Sequence, residues 1–334
     1  MIRPISRGQF IKTGTALSVA AIAGCGRSSP KPVMTSSYER RNPVPSTTQV
    51  AMVRARDGLE AVNRAIEVAG GFDFIQPGQT VLIKPAMNSS NPFPATTDPA
   101  VVALVTELCR QRGAGLVVVA DKPFFLKRAD IVMQKSGIGP AAQGAGAEVV
   151  PLDDVEWTEI ENPFAEHWGG SFAVPTLLSE VDHVIYLPTV RTHVLARFTM
   201  SLKNSVGLLG RWNCFFMHVS PSLPERIAEI NLAVRPSFYL LDGRKVFVEG
   251  GPDKGAEQAP GIVFAGRDPV ACDAMGVALL KTLGTRKDLQ NTSVWNQRMI
   301  RRAVQLGLGV DGPGKIEVKA EGVDEADKIL RNLA

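Results

Sequence analysis

Short, unbroken apolar runs separated by amphipathic helical patterns restrict the fold of this chain more than any other feature. The runs are VLIK (81–84), LVVVAD (116–121), EVVPLD (148–153), HVIYLP (183–188), FYLLD (238–242) and IVFAG (262–266). An unbroken apolar strand has both faces covered, which is typical of parallel sheets flanked by helices. The sequence therefore predicts an α/β fold with mostly parallel strands, either as one sheet or as two α/β lobes with a cleft at the carboxyl ends of the strands.

Two helices are marked by their first residues. Asp98-Pro99 and Asp268-Pro269 each place an N-cap residue before a proline in the first helical turn. The helices that follow are expected to end before Gly113 and Gly284, because glycine commonly terminates a helix. We also expect a loop over residues 188–197 and a helix over residues 199–209, with residues 49–334 forming the folded domain.

The first 24 residues have the features of an export signal, with a basic start and a weakly apolar stretch over residues 14–23. Residues 6–12 resemble a twin-arginine translocation motif in which Gly8 stands for the second Arg, and residues 22–25 resemble a lipoprotein cleavage box. We expect a periplasmic or cell-envelope protein anchored to the membrane by a lipid on Cys25. A plain cleaved signal with an incidental cysteine is the alternative. Residues 25–48, rich in Ser and Pro, predict a flexible tether.

Composition excludes several classes of function. The formal net charge is only +4 over 334 residues, without the run of basic and aromatic residues that a nucleic-acid groove needs. The cysteines Cys25, Cys109, Cys214 and Cys272 form no CxxC pair, so we expect neither a disulfide framework nor a self-contained iron–sulfur motif. Cys214 and His218, four residues apart, are too few to hold a metal ion alone.

One segment is basic without any internal acid. No Asp or Glu occurs between Asp182 and Glu225, and the span 183–224 carries Arg191, Arg197, Lys203 and Arg211. Local positive charge attracts an anion, and arginine binds carboxylates and phosphates with two hydrogen bonds. The expected ligand is a small carboxylate or phosphate. Acids from distant segments, such as Asp121, Asp242 or Glu249, could instead neutralise these bases in an ion-pair network.

The carboxyl ends of parallel strands meet at one edge of a sheet, where ligands bind. There Lys203, crowded by arginines, is the candidate base or nucleophile, and His193 the candidate proton carrier. The candidate substrate-binding residues are Lys84, Asn88, Asp121, Arg191, Thr199, Asn204, Asp242 and Glu249. For any single one of them, a polar strand end at the solvent boundary is the simpler explanation.

Four motifs in this order, VLIKPAMN, YLPTVRTHVLARFTMSLKNSVGLLG, LLDG…EGGPDKG and FAGRDPVACDAMG, resemble the family called domain of unknown function 362. The resemblance spans residues 50–310 and implies a domain without an established activity. Many members carry an inserted four-cysteine iron–sulfur segment, which this sequence lacks. His193 and Lys203 also resemble the His and Lys pair of the lactate racemase family, which implies a nickel-pincer nucleotide cofactor on Lys203.

These observations support three hypotheses. The first is an anchored α/β enzyme acting on a small anion, with Arg191 binding the anion and His193 and Lys203 doing acid–base or covalent work. The second is a non-catalytic module that captures an anionic metabolite, cofactor or partner. The third is a redox or metal-site accessory protein, based on Cys214 and His218. The first two differ in whether a poised base shares the pocket with the arginine.

Overall fold

A computed structural model describes residues 34–35 and 46–334, and of residues 34–35 only the backbone. The predicted export signal and Cys25 lie outside the described residues and stay predictions, as does most of the predicted tether. Among the helices of the described ranges, none is both long and apolar enough to cross a membrane.

The strands are β1 (Met34–Thr35), β2 (Thr48–Val53), β3 (Thr80–Pro85), β4 (Leu116–Asp121), β5 (Glu148–Pro151), β6 (Trp157–Glu161), β7 (Ser171–Pro175), β8 (His183–Leu187), β9 (Thr189–His193), β10 (Arg197–Thr199), β11 (Phe238–Gly250), β12 (Gly255–Gln258), β13 (Ile262–Gly266) and β14 (Ile316–Glu321). All six apolar runs contain a strand, and the run after Phe238 continues well past Asp242. The first strand of the domain begins at Thr48, one residue before its predicted start.

The helices are α1 (Gly58–Val68), α2 (Pro99–Gln111), α3 (Ala129–Ser136), α4 (Ile138–Gly144), α5 (Ser201–Asn204), α6 (Arg211–His218), α7 (Leu223–Ile230), α8 (Pro269–Leu283), α9 (Lys287–Gln290), α10 (Arg298–Gln305) and α11 (Ala326–Leu333). The two N-caps are confirmed. Asp98 accepts a hydrogen bond from the Ala100 amide, and Asp268 accepts from the amides of Val270 and Ala271. Both helices end close to their predicted glycines.

The main sheet follows the order β14–β2–β13–β11–β8–β3–β4–β5, with β9, β10 and β12 attached near β11. The half built from β11, β8, β3, β4 and β5 is parallel, and β14 is parallel to β2. β13 runs antiparallel to both β11 and β2, so the sheet is mixed. The predicted α/β class with a mostly parallel sheet is confirmed. A small separate sheet contains β1, β6 and β7.

Helices cover both faces of the main sheet, as the unbroken apolar strands predict. Along β2, Val50 and Met52 join the cluster that contains α8 and α10, whereas Ala51 and Val53 join the cluster that contains α1 and α2. This alternation follows from the two-residue period of a strand. Burial on both faces removes the sheet from water and leaves its strand ends as the accessible part.

The prediction for residues 188–209 is wrong in detail. Residues 189–193 continue β8 as a strand beside β11, and β10 folds back on β9 as a hairpin. The helix begins only at Ser201 and lasts one turn, followed by a 3₁₀ turn over residues 205–208. The β-branched residues Thr189, Val190 and Thr192 favour extended backbone, and pairing with β11 adds hydrogen bonds that an isolated loop would lack.

Candidate functional site

A pocket opens at the carboxyl ends of β3 and β4, where the β9–β10 hairpin and α5 close over the sheet. Its wall includes Lys84 from β3, Asp121 from β4, Arg191 from β9, Thr199 from β10 and Lys203 from α5. Asn88 and Asn204 line it as well. Five separate segments thus supply polar side chains to one cavity. The sequence-based expectation that strand ends share one edge accounts for Lys84 and Asp121.

A buried ion pair forms the floor of the pocket. Lys84 Nζ lies 2.8 Å from Asp121 Oδ1, and both side chains are about 1% exposed. The ammonium group also donates to the Pro85 carbonyl at 3.0 Å and to Asn204 Oδ1 at 3.4 Å, so its hydrogens are used within the protein. Burial raises the pKa of Asp121 to about 6, against the attraction of Lys84. Lys84 therefore organises the floor and has no hydrogen left for a ligand.

Arg191 presents a guanidinium group that forms no ion pair with any carboxylate of the described residues, although the charge of Asp253 acts on it. It lies directly opposite Thr199 in the hairpin, which brings both side chains to the pocket. Nη1 donates to the Pro252 carbonyl at 2.7 Å and to the Ala95 carbonyl, while Nε has no hydrogen-bond partner in the described structure. Burial lowers the pKa of Arg191 to about 10, which still leaves it charged at neutral pH. A fixed, partly unsatisfied guanidinium group is suited to bind an anion.

Lys203 is held by the segment around it while its own amine stays free. The carboxylate of Asp273, on α8, accepts from the amides of Ser201 at 2.6 Å and Leu202 at 3.1 Å, which anchors the start of α5. Asn204 donates to the Lys84 carbonyl at 3.0 Å and ties the end of α5 to β3. Lys203 Nζ makes no hydrogen bond or ion pair with the described part of the chain. Burial lowers its pKa from 10.5 to about 8.

Lys122 is the fourth cation of the pocket. Its Nζ has no hydrogen-bond partner among the described residues and lies 5.9 Å from the ring centre of Trp157. Burial lowers its pKa. Lys122 is not among the site residues predicted from the sequence, although it directly follows Asp121 at the end of an apolar run. That position was the available signal, since a residue after a strand end at the carboxyl edge faces the same crevice.

His218 and Cys214, from α6, complete one wall. His218 Nδ1 lies 2.7 Å from the Cys214 carbonyl oxygen and donates to it, so Nε2 carries the free lone pair. Burial and the nearby charge of Lys203 lower the pKa of His218 to about 4, which makes the ring neutral at pH 7. The sequence marked these two residues only as a weak metal pair. In the described parts of the chain, no three His, Cys, Asp or Glu side chains gather where they could hold a metal ion.

Unsatisfied polar atoms concentrate at this pocket. Asp121 Oδ2, Lys122 Nζ and Arg191 Nε are buried without a hydrogen-bond partner in the described structure. Buried polar atoms normally have partners, so such a group marks the place where a polar ligand or ordered water binds. The space available to the centres of water-sized molecules is about 50 Å³. That volume suits roughly three to five waters, or one small polar group of similar size.

Three predicted site residues lie away from the pocket. His193 does not line it, and its Nδ1 accepts from the amides of Leu195 and Ala196 in its own turn, each at 3.1 Å. Asp242 is paired with Arg244 at 2.8 Å, and Glu249 is exposed. Asn88 does line the pocket, but its amide nitrogen donates to Asp253 at 2.7 Å. His193, the histidine of the lactate racemase resemblance, thus does not line the pocket that holds Lys203, although the charge of Lys203 contributes to lowering its pKa.

The glycines after Glu249 allow one loop to approach the hairpin closely. Gly251 has φ of +72°, and a Cβ there would lie 2.0 Å from the Thr192 carbonyl oxygen. Because only glycine fits, Pro252 can reach the pocket and accept from Arg191. The loop therefore helps to hold the guanidinium group.

The fold and the four motifs agree with a family model for "Domain of unknown function (DUF362)", which matches residues 81–278. This chain belongs to that family. The DUF362 chain is also 26% identical over 223 residues to a thylakoid-associated protein of Synechocystis sp., an alignment that covers 64% of this chain and 67% of the relative.

Two solved structures resemble the DUF362 chain at low identity. One is the lactate racemase apoprotein of Thermoanaerobacterium thermosaccharolyticum, with 15% identity, a TM-score of 0.46, and coverage of 67% of this chain and 54% of that one. The other is a protein of Thermotoga maritima, with 12% identity, a TM-score of 0.35, and coverage of 57% and 50%. The DUF362 chain thus spans about half the length of each solved structure.

Proposed function

We propose that this DUF362 chain is an enzyme that acts on a small carboxylate or phosphate substrate in the pocket. Arg191 and Lys122 bind the anion, and Lys203 acts as base or nucleophile. The observation that carries the proposal is that three cationic side chains, none of them ion-paired with a carboxylate of the described residues, face one cavity. An ion-pair network would instead leave each base matched by an acid.

Charge favours an anion over a neutral or cationic ligand. Lys84, Lys122, Arg191 and Lys203 are four cations, and Asp121 is the one carboxylate among the lining residues, so three positive charges remain. Holding unpaired charge in a buried site is costly, and a bound anion relieves that cost. The pocket volume limits the reacting part of the substrate to a small group.

Chemistry is assigned to Lys203 because its amine is both free and easier to deprotonate than usual. With a pKa of about 8, a useful fraction of the amine is neutral near pH 7 and can take a proton or attack a carbonyl. We assign proton transfer to His218 rather than His193, since the neutral His218 ring lies in the pocket wall.

We further propose, on the sequence of residues 1–25 alone, that the protein is exported and anchored by a lipid on Cys25. Its relative's description as thylakoid-associated agrees with attachment to a membrane.

The test measures binding and turnover separately. Inorganic phosphate and acetate are titrated into the full chain by calorimetry, and a panel of small carboxylates and phosphates is screened for turnover by NMR. We expect Arg191→Met and Lys122→Met each to weaken binding about tenfold or more, as expected for losing a charge-assisted hydrogen bond. Lys203→Ala should abolish turnover, whereas Lys135→Ala, which removes an exposed lysine of α3, should change neither quantity.

Three outcomes separate the hypotheses. Binding that depends on Arg191, with turnover lost in Lys203→Ala, supports the enzyme. Binding that depends on Arg191 without any turnover that requires Lys203 favours the non-catalytic module. If neither anion binds, or if binding is the same in all variants, the pocket is not an anion site.

A further inference from the structure

A groove lies beside the anion pocket, and one residue borders both. His218 lines the pocket on one side and the groove on the other. Leu195 and Pro221 contribute exposed apolar surface to the groove, whereas Phe198, Leu223 and Met299, which also line it, are almost fully buried. The groove has a volume of about 220 Å³, compared with about 50 Å³ for the pocket. More room is therefore available next to the pocket than within it.

The charges of the groove differ from those of the pocket. Arg197 and Arg298 line it, and both have carboxylate partners: Arg298 contacts Glu225 at 2.8 Å, and Arg197 Nε lies 3.7 Å from Asp288. The pocket cations Lys122, Arg191 and Lys203 have none. A second anionic group would therefore gain little in the groove, because its arginines are already neutralised.

Leu195 is the large apolar side chain of the groove that is open to solvent among the described residues. Leu195 is 59% exposed at the tip of the β9–β10 hairpin, and no described segment covers it. Its neighbour Val194 is similarly exposed at 57% but does not line the groove. An apolar chain entering the groove would remove Leu195 from water, at a gain of about 25 cal/mol per Å² of apolar surface buried.

We propose that the substrate of the anion pocket is an amphiphile, with its carboxylate or phosphate group in the pocket and an apolar chain of several carbons along the groove past His218. This inference rests on the proposed function and specifies its substrate class. The head group supplies charge complementarity and the chain supplies apolar contact, so the two parts of the site recognise different parts of one ligand.

The experiment varies chain length at a fixed head group. Acetate, butyrate, hexanoate and octanoate, and the corresponding n-alkyl phosphates, are titrated below their micelle concentrations into the full chain. Each methylene that enters the groove should tighten binding about twofold to fourfold, the upper value being that of a fully buried methylene. Leu195→Ser should remove part of this gain, at least threefold for octanoate, and leave acetate binding unchanged. Val194→Ser is the matched control and should behave like the wild type.

The outcomes distinguish this inference from the proposed function. If short anions bind and chain length has no effect, the amphiphile is wrong and the anion pocket stands. The amphiphile is also wrong if the gain in affinity with chain length is unchanged in Leu195→Ser, or if it falls equally in Leu195→Ser and Val194→Ser. If no anion of any length binds, the proposed function fails and this inference with it. If longer chains do bind more tightly, vesicles of phosphatidylcholine with phosphatidic acid identify the source of the amphiphile. Competition of the vesicles with bound octanoate indicates a membrane lipid, and no competition indicates a free amphiphile.

Discussion

At the scale of single residues, the site depends on which cations have partners. Lys84 is satisfied by Asp121, Pro85 and Asn204, and it holds the floor together. Lys203 is buried to a similar degree but has no hydrogen-bond or ion-pair partner among residues 46–334, and burial lowers its pKa to about 8. Two lysines of similar burial thus have different roles, one structural and one available for chemistry. A substitution at each should have different consequences.

The buried charge of Lys203 should lower the free energy of unfolding of the protein. The pKa of Lys203 is lower in the folded state than the 10.5 of an ordinary lysine, so the cost is fully present below about pH 8 and disappears as the pH rises toward 10.5. Lys203→Met should therefore increase the free energy of unfolding at pH 7, by at most on the order of 3 kcal/mol. Urea denaturation at pH 7, 8, 9 and 10 measures the gain, which should shrink with pH. Lys135→Met is the control, and an equal or pH-independent gain in both variants would contradict the assignment.

At the scale of elements, the one-turn helix α5 and its 3₁₀ turn are fixed by buried polar contacts from elsewhere. The buried carboxylate of Asp273 accepts from the amides of Ser201 and Leu202. Asn231 donates to the Leu202 carbonyl at 3.0 Å and accepts from Ser205 Oγ at 2.6 Å. A single turn is not stable alone, so these contacts give Lys203 its position.

The 3₁₀ turn also needs a glycine. A Cβ at Gly207 would lie 1.9 Å from Asp121 Oδ1 and 2.9 Å from Lys84 Nζ. Gly207→Ala should separate the buried ion pair and lower the free energy of unfolding by about 3 kcal/mol or more, because breaking such a pair leaves uncompensated charge. Gly144→Ala is the matched control, since nothing lies within 4 Å of a Cβ there. Chemical denaturation of both variants tests this, and equal stabilities would show that the turn can move aside.

At the scale of the whole molecule, the C-terminal segment protects one edge of the sheet. β14 lies parallel to β2 and covers it, and α11 packs on α8 through the buried residues Ile329 and Leu333. Without β14, the six-residue strand β2, whose last four residues are apolar and buried, would become the edge. Unpaired edge strands of this kind pair with other chains.

Two truncations separate the contributions of these elements. Ending the chain after Glu321 removes α11 and should lower the melting temperature while leaving the protein soluble. Ending it after Pro313 also removes β14 and should cause aggregation through β2. The soluble fraction after centrifugation and the size-exclusion profile measure the difference. Equal solubility of the two truncated chains would mean that β14 does not protect the edge.

The sequence by itself determined the α/β class, the strands at the apolar runs, the two Asp-Pro helix starts and the basic segment that contains Arg191 and Lys203. These features are local: apolar runs, caps and charge patterns act within a few residues of their own position. Only the tertiary structure decided that residues 189–199 form a hairpin, that Asp121 matches Lys84, and that Lys122 and His218 rather than His193 and Asp242 line the pocket. Those outcomes depend on which distant residues meet, and no local pattern specifies which buried charge receives a partner.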